Sequence, residues 1–105
     1  MAETVVKVAA VDECPPGTMK RVMIGGRPIL IANVDGCFYA ADDTCTHEDA
    51  SLSKGSLQGD LVTCPLHGSR FNLRTGEVLD EPADVPLNTY ATRVSGGEVL
   101  VKFRE

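Results

Sequence analysis

Two short runs of residues carry the chemistry that stands out in this chain. Cys45 and His47 flank Thr46, and Cys64 and His67 flank Pro65 and Leu66. The pattern is C-x-H, sixteen intervening residues, then C-x₂-H, and it takes in both histidines of the chain. Thiolates and neutral imidazoles are ligands for zinc and for iron. A tetrahedral Cys₂His₂ zinc site uses this donor set, but zinc fingers pair Cys with Cys and His with His along the chain. Here each half carries one of each. That order suits a [2Fe-2S] centre in which one iron takes two thiolates and the other two imidazoles, with two loops each delivering one donor of either kind. The candidate ligands are therefore Cys45, His47, Cys64 and His67, holding one cluster per chain. The tight spacing within each pair lets one loop supply both of its ligands. The long spacer lets a hairpin return the chain, and Gln58 and Gly59 are its expected turn.

The elements that must position these loops read as short strands. Gly25 and Gly26 separate the run Met19 to Ile24 from Pro28 to Val34, and Asp35 and Gly36 precede the run Cys37 to Ala41. Gly96 and Gly97 turn Tyr90 to Val94 into Glu98 to Phe103. Such paired turn residues between β-rich runs predict stacked hairpins. In the last run Val99, Val101 and Phe103 alternate with charged residues, which predicts one buried face; Leu100 breaks the alternation. No segment has a helical apolar period over ten or more residues, and only a short helical turn is expected after Asp49. The opening residues, with Glu3 before Val5 and Val6, read as a first strand of a cytoplasmic protein and not as a secretory leader.

At 105 residues the chain is expected to form one domain. The stretch from about Ala41 to Leu87 differs from its flanks, since it holds both histidines, two cysteines and nine acidic residues against three basic ones, a net charge of −6. It reads as an insert into a base of hairpins. The whole chain carries −5, which argues against nucleic-acid binding, and it has no apolar run long enough to span a membrane. A partner with a basic face would suit it, with Asp42 and Asp49 in the acidic docking region. Cys14 and Cys37 lie outside the ligand spacing and read as ordinary thiols. The four cysteines do not offer the C-x₄-C-x₂-C run of a plant-type ferredoxin.

The stretches CTHED, Cys45 to Asp49, and CPLHGSRFNLRTGEV, Cys64 to Val78, resemble the first and second cluster loops of Rieske proteins. In size and pattern the chain is similar to the Rieske-type ferredoxins of bacterial multicomponent aromatic-ring dioxygenases. The resemblance implies an all-β Rieske iron-sulfur fold of antiparallel sheets, with a base of residues 1–40 and 88–105 and a cluster-binding subdomain inserted at about 41–87. It places Cys45 and Cys64 on the inner iron and His47 and His67, through Nδ1, on the outer one. Leu79 to Leu87, with Pro82 and Pro86, looks like the third loop that shields the cluster. Ala50 and Leu66 stand where respiratory Rieske proteins have a disulfide, so that bridge cannot form, and Phe71 stands where they have a tyrosine. Ser69 keeps a hydroxyl that can donate to a bridging sulfide. Few hydrogen bonds to sulfur and the local negative charge imply a potential near the low end of the Rieske range, about −150 mV.

The function implied is a one-electron carrier, not an enzyme, between a flavin-dependent ferredoxin reductase and a Rieske terminal oxygenase, as a monomer with no nucleic-acid or membrane partner. It cannot be the oxygenase itself, whose mononuclear iron needs two further histidines. Two alternatives stand beside this reading: a Rieske-like small subunit of a reductase complex of the nitrite reductase type, and a zinc-stabilised interaction module.

Overall fold

Four consecutive apolar residues, Ile29, Leu30, Ile31 and Ala32, are all fully buried. Successive strand side chains point to opposite faces, so an unbroken buried run requires a strand covered on both sides. In the computed structural model, which describes residues 3–46, 49–66, 68–81 and 83–104, these four sit in the middle of a sheet between two apolar cores.

That sheet is antiparallel and four-stranded. Its members are β2 (Met19–Ile24), β3 (Arg27–Val34), β4 (Cys37–Asp42) and β8 (Thr89–Tyr90), in the order β2-β3-β4-β8. Asp35 and Gly36 join β3 to β4 with φ of 52° and 91°. Two successive positive φ values are what a two-residue type I′ turn demands, and they match the twist of the flanking strands. A three-stranded sheet, ordered β1-β10-β9, lies against one side; it is built from β1 (Glu3–Ala10), β10 (Glu98–Arg104) and β9 (Thr92–Ser95). Its register slips between Lys7 and Ala9 on β1, a β-bulge. A third sheet, ordered β5-β6-β7, comprises Ser56–Gln58, Leu61–Thr63 and Arg70–Asn72.

The alternation along β3 sorts the two cores. Ile29 and Ile31, with Phe38 and Ala40 of β4, pack on Val99, Val101 and Phe103 of β10. Leu30, Ala32 and Ala41 face the other way, into a core shared with Val62, Phe71, Leu73 and both Cys45 and Cys64. Burying one such large aliphatic or aromatic side chain contributes about 1.5–3 kcal/mol, so both cores are substantial for so small a protein. The second core is the one that holds the cysteines of the two candidate ligand loops.

Two expectations from sequence are corrected. The run Tyr90 to Val94 is not one strand, because Thr89–Tyr90 pairs with β4 while Thr92–Ser95 pairs with β10. The chain changes sheets at Ala91, whose carbonyl accepts the Lys102 N–H at 2.9 Å, while the Tyr90 hydroxyl is held by Asp42 at 2.6 Å. The turn between β5 and β6 falls on Gly59 and Asp60, one residue later than expected, since Gln58 still pairs with Leu61. Gly59, with φ of 60°, supplies the left-handed first position. The short helical turn expected after Asp49 is present as a 3₁₀ turn, Leu52–Lys54.

Candidate metal centre

The two candidate ligand loops are closed in the same way. The first leaves β4, and the Cys45 N–H donates to the Ala50 carbonyl at 2.9 Å. The second joins β6 to β7, and the Cys64 N–H donates to the Ser69 carbonyl at 2.8 Å. Each loop is thus pinned from its cysteine to the residue five positions on. The second is tightened by the Gly68 N–H on the Cys64 carbonyl at 3.1 Å, with Gly68 at φ 78°. His47 falls within the first span and His67 within the second; both histidines, Glu48 and Pro82 lie outside the described residues.

Beneath the first loop sits a buried acid. Asp43 is 1% exposed, and its carboxylate accepts the Ser51 hydroxyl at 2.5 Å, the Ser53 N–H at 2.9 Å and the Arg21 Nε at 3.2 Å. A carboxylate taken out of water needs several donors, and three converge here. The Asp43 carbonyl also accepts the Leu52 N–H at 2.7 Å, so one residue fixes both stems of the loop and ties them to β2. Asp43 is one of the nine acids counted in the 41–87 stretch, and its burial keeps its charge off the surface.

The stretch after β7 crosses both loops. Its ends are fixed by the Leu79 N–H on the Arg70 carbonyl and the Leu87 N–H on the Gly76 carbonyl, each at 2.8 Å. A side chain at Gly76 would place Cβ 2.3 Å from the Leu87 carbonyl oxygen, so only glycine allows this approach. The Arg70 guanidinium bonds the Asp80 carboxylate at 2.5 Å and holds that carboxyl below its ordinary range. Between these ends the Ala83 N–H donates to the buried Ser69 Oγ at 3.1 Å, and the Thr46 hydroxyl donates to the Val85 carbonyl at 2.6 Å. Ser69 accepts through its oxygen, and its own O–H remains a donor.

Cys45, Cys64, Phe71 and Ala83 come together in one buried core, although they derive from four separate segments. Two sulfur-bearing side chains brought from separate loops into one apolar setting fit a group that takes thiolates and excludes water. Cys14 and Cys37 are elsewhere: Cys14 is buried in the other core, and Cys37 is exposed at the start of β4. Sequence reading missed Asp43 and Thr46 as supports. A local string of residues does not show that a carboxylate turns inward, or that the residue between two ligands reaches another loop.

A base of packed antiparallel sheets carrying two cysteine-bearing loops of equal span is an arrangement that fits an iron-sulfur carrier domain. The comparisons agree. The model of the Rieske [2Fe-2S] domain matches residues 4–91. Ferredoxin CarAc of Metapseudomonas resinovorans is 46% identical over 96 residues, 90% of each chain. The biphenyl dioxygenase ferredoxin subunit of Pseudomonas sp. (strain KKS102) is 46% identical over 101 residues, 95% of this chain and 93% of that one. Among solved structures, a chain in the complex of reduced oxygenase and oxidized ferredoxin in carbazole 1,9a-dioxygenase superposes with a TM-score of 0.88 at 44% identity, covering 93% of this chain and 92% of that chain. This chain belongs to the Rieske [2Fe-2S] domain family. It is a ferredoxin of that family, an electron carrier with a [2Fe-2S] cluster and not an enzyme.

Proposed function

We propose that this ferredoxin carries single electrons from a flavin-dependent reductase to the Rieske centre of a terminal oxygenase in an aromatic-ring-hydroxylating dioxygenase system, as a cytoplasmic monomer. Cys45 and Cys64 would hold one iron of the cluster and His47 and His67 the other. Residues 41–87 would form the cluster-binding insert in a base of 1–40 and 88–105. The observation that carries the assignment is the pair of equal loops, each closed from its cysteine to the carbonyl five residues on, with both cysteines in one core. The likeness to ferredoxins of carbazole and biphenyl dioxygenases supports the oxygenase as recipient.

The test is visible absorption and low-temperature electron paramagnetic resonance of the aerobically purified protein, before and after dithionite. Red-brown protein whose reduced form gives a rhombic signal of low mean g supports the reading; colourless protein with stoichiometric zinc sinks it. Cys45→Ser, Cys64→Ser, His47→Ala and His67→Ala should each abolish that signal, whereas Cys14→Ser and Cys37→Ser should keep it. Because metal binding is also folding free energy in a small domain, the four ligand variants should be less stable as well. Constitutive purification with a large reductase subunit would instead favour the small-subunit alternative.

A further inference from the structure

We infer that Thr46, through its hydroxyl, is the positioning residue that holds the segment around Val85 against the first ligand loop and so keeps water from the cluster. The inference rests on the assignment of Cys45 and Cys64 as ligands. Of the contacts described above, two side-chain hydrogen bonds join the middle of the crossing segment to the ligand loops. Ala83 is tied to the second loop through Ser69, and Val85 to the first loop through Thr46. The two attachments differ in kind. Ala83 is 2% exposed and packs among Cys45, Cys64 and Phe71, so apolar burial holds it whether or not Ser69 accepts its N–H. Val85 is 53% exposed, so packing holds it weakly. Its 2.6 Å bond from Thr46 is therefore the restraint on the stretch between two buried anchors, Ala83 and Leu87, the latter 5% exposed and bonded to Gly76. Thr46 follows a proposed ligand directly, so its hydroxyl ties the cover to the backbone of the first loop beside that ligand.

The consequence is electrochemical as well as mechanical. A reduced cluster is more negative than an oxidised one, and water admitted beside it favours the extra charge; solvent exposure is one of the factors that set such potentials. Thr46→Val keeps the shape and removes the donor. It should raise the midpoint potential, and loss of one neutral hydrogen bond should increase the open population, and with it the rate of bleaching in air, about fivefold. Exchange of the Leu87 amide, bonded to Gly76 at the end of the same segment, should accelerate by a similar factor. Thr46→Ser, which restores the hydroxyl, should return all three to wild type. A role confined to general stability would move the unfolding midpoint and leave the potential unchanged.

The measurements are voltammetry, bleaching kinetics and amide exchange on cluster-loaded wild type, Thr46→Val and Thr46→Ser. Coloured Thr46→Val with wild-type potential, lifetime and exchange overturns the inference alone. So does a Thr46→Ser variant that behaves like Thr46→Val. If Thr46→Val assembles no cluster, assembly by Thr46→Ser supports the need for the hydroxyl, and failure of both overturns it. A colourless wild type overturns the ligand assignment and the inference together.

Discussion

The Asp43 carboxylate and the Ser51 hydroxyl stand 2.5 Å apart across eight residues of sequence, and their bond closes the first ligand loop from below. Asp43 is nearly inaccessible, whereas its partner Arg21 is about half exposed, so the stability of the site depends more on the acid than on the base. Asp43→Ala removes the acceptor for Ser51, Ser53 and Arg21 together, and should cost about 2–4 kcal/mol. Ser51→Ala, which removes one of three donors, should cost about 1 kcal/mol. Urea titration of the loaded protein, followed by its visible colour and by far-ultraviolet dichroism, checks both. An Asp43→Ala midpoint equal to that of Ser51→Ala would show that the acid is not the keystone of the loop.

Phe71 is fully buried in the core that contains both loop cysteines, and the family resemblance sets it where respiratory Rieske proteins carry tyrosine. Phe71→Tyr introduces a donor into that core. A hydrogen bond to ligand sulfur worth ~1 kcal/mol, converted at about 59 mV per tenfold for one electron, raises the potential by roughly 40 mV. The added oxygen also overfills a packed core, so stability should fall by about 1–3 kcal/mol. Voltammetry giving an unchanged or lower potential would show that the ring does not border the cluster.

Tyr90 provides a handle at alkaline pH. Burial raises its hydroxyl above the ordinary tyrosine range, and the bond to Asp42 acts in the same direction, although Arg27 opposes it. The folded state thus holds the phenol proton to higher pH than the unfolded chain does. The stabilisation is complete below the unfolded value, about 10, and is lost as pH rises through the higher folded value. Urea midpoints measured from pH 8 to 11 should therefore decline at the top of the range in wild type and decline less in Tyr90→Phe. Parallel curves would show that Tyr90 titrates alike in both states.

The hairpins, the turns at Gly25-Gly26, Asp35-Gly36 and Gly96-Gly97, and the buried face of β10 were legible because each depends on local rules. Asp35-Gly36 has one favoured turn, and Val99, Val101 and Phe103 repeat at the strand period. The layering of β3 was present in the run Ile29 to Ala32, but a buried strand and any other short apolar run look alike until their neighbours are known. The break at Ala91 and the inward turn of Asp43 were not legible, since both are decided by distant partners, Lys102 in one case and Arg21 in the other. The proposed donors stand out in the sequence by type and spacing, whereas the residues that support their loops do not. Cys45 and Cys64 announce themselves by type and spacing, whereas Thr46 meets Val85 across 39 positions.

The charge of the 41–87 region gives the last prediction. Of its nine acidic residues, four are already engaged: Asp42 with Arg27, Asp43 with Arg21, Asp60 with Arg74 and Asp80 with Arg70. Among the described residues, the acids of this region without an ion pair are Asp49, Glu77, Glu81 and Asp84, and all four are exposed. Asp49 lies in the first ligand loop, while Glu81 and Asp84 lie on the segment that crosses both loops. A reductase with a basic face would be drawn toward this end before contact, so electron transfer should be fast at low salt and slow as ions screen it. Screening sets in over about 8 Å at physiological ionic strength, which gives the acids nearest the contact most of the effect. Glu48, whose placement lies outside the described residues, adjoins Asp49 in sequence. The pair Glu48→Gln with Asp49→Asn, and separately Glu81→Gln with Asp84→Asn, should lower the second-order rate at low ionic strength and flatten its salt dependence. Glu3→Gln, on β1 of the base, should do neither. Stopped-flow reduction by the proposed flavin-dependent reductase across a salt series measures this directly. A wild-type rate that ignores salt, or rises with it, would make these carboxylates a solvated surface with no part in docking.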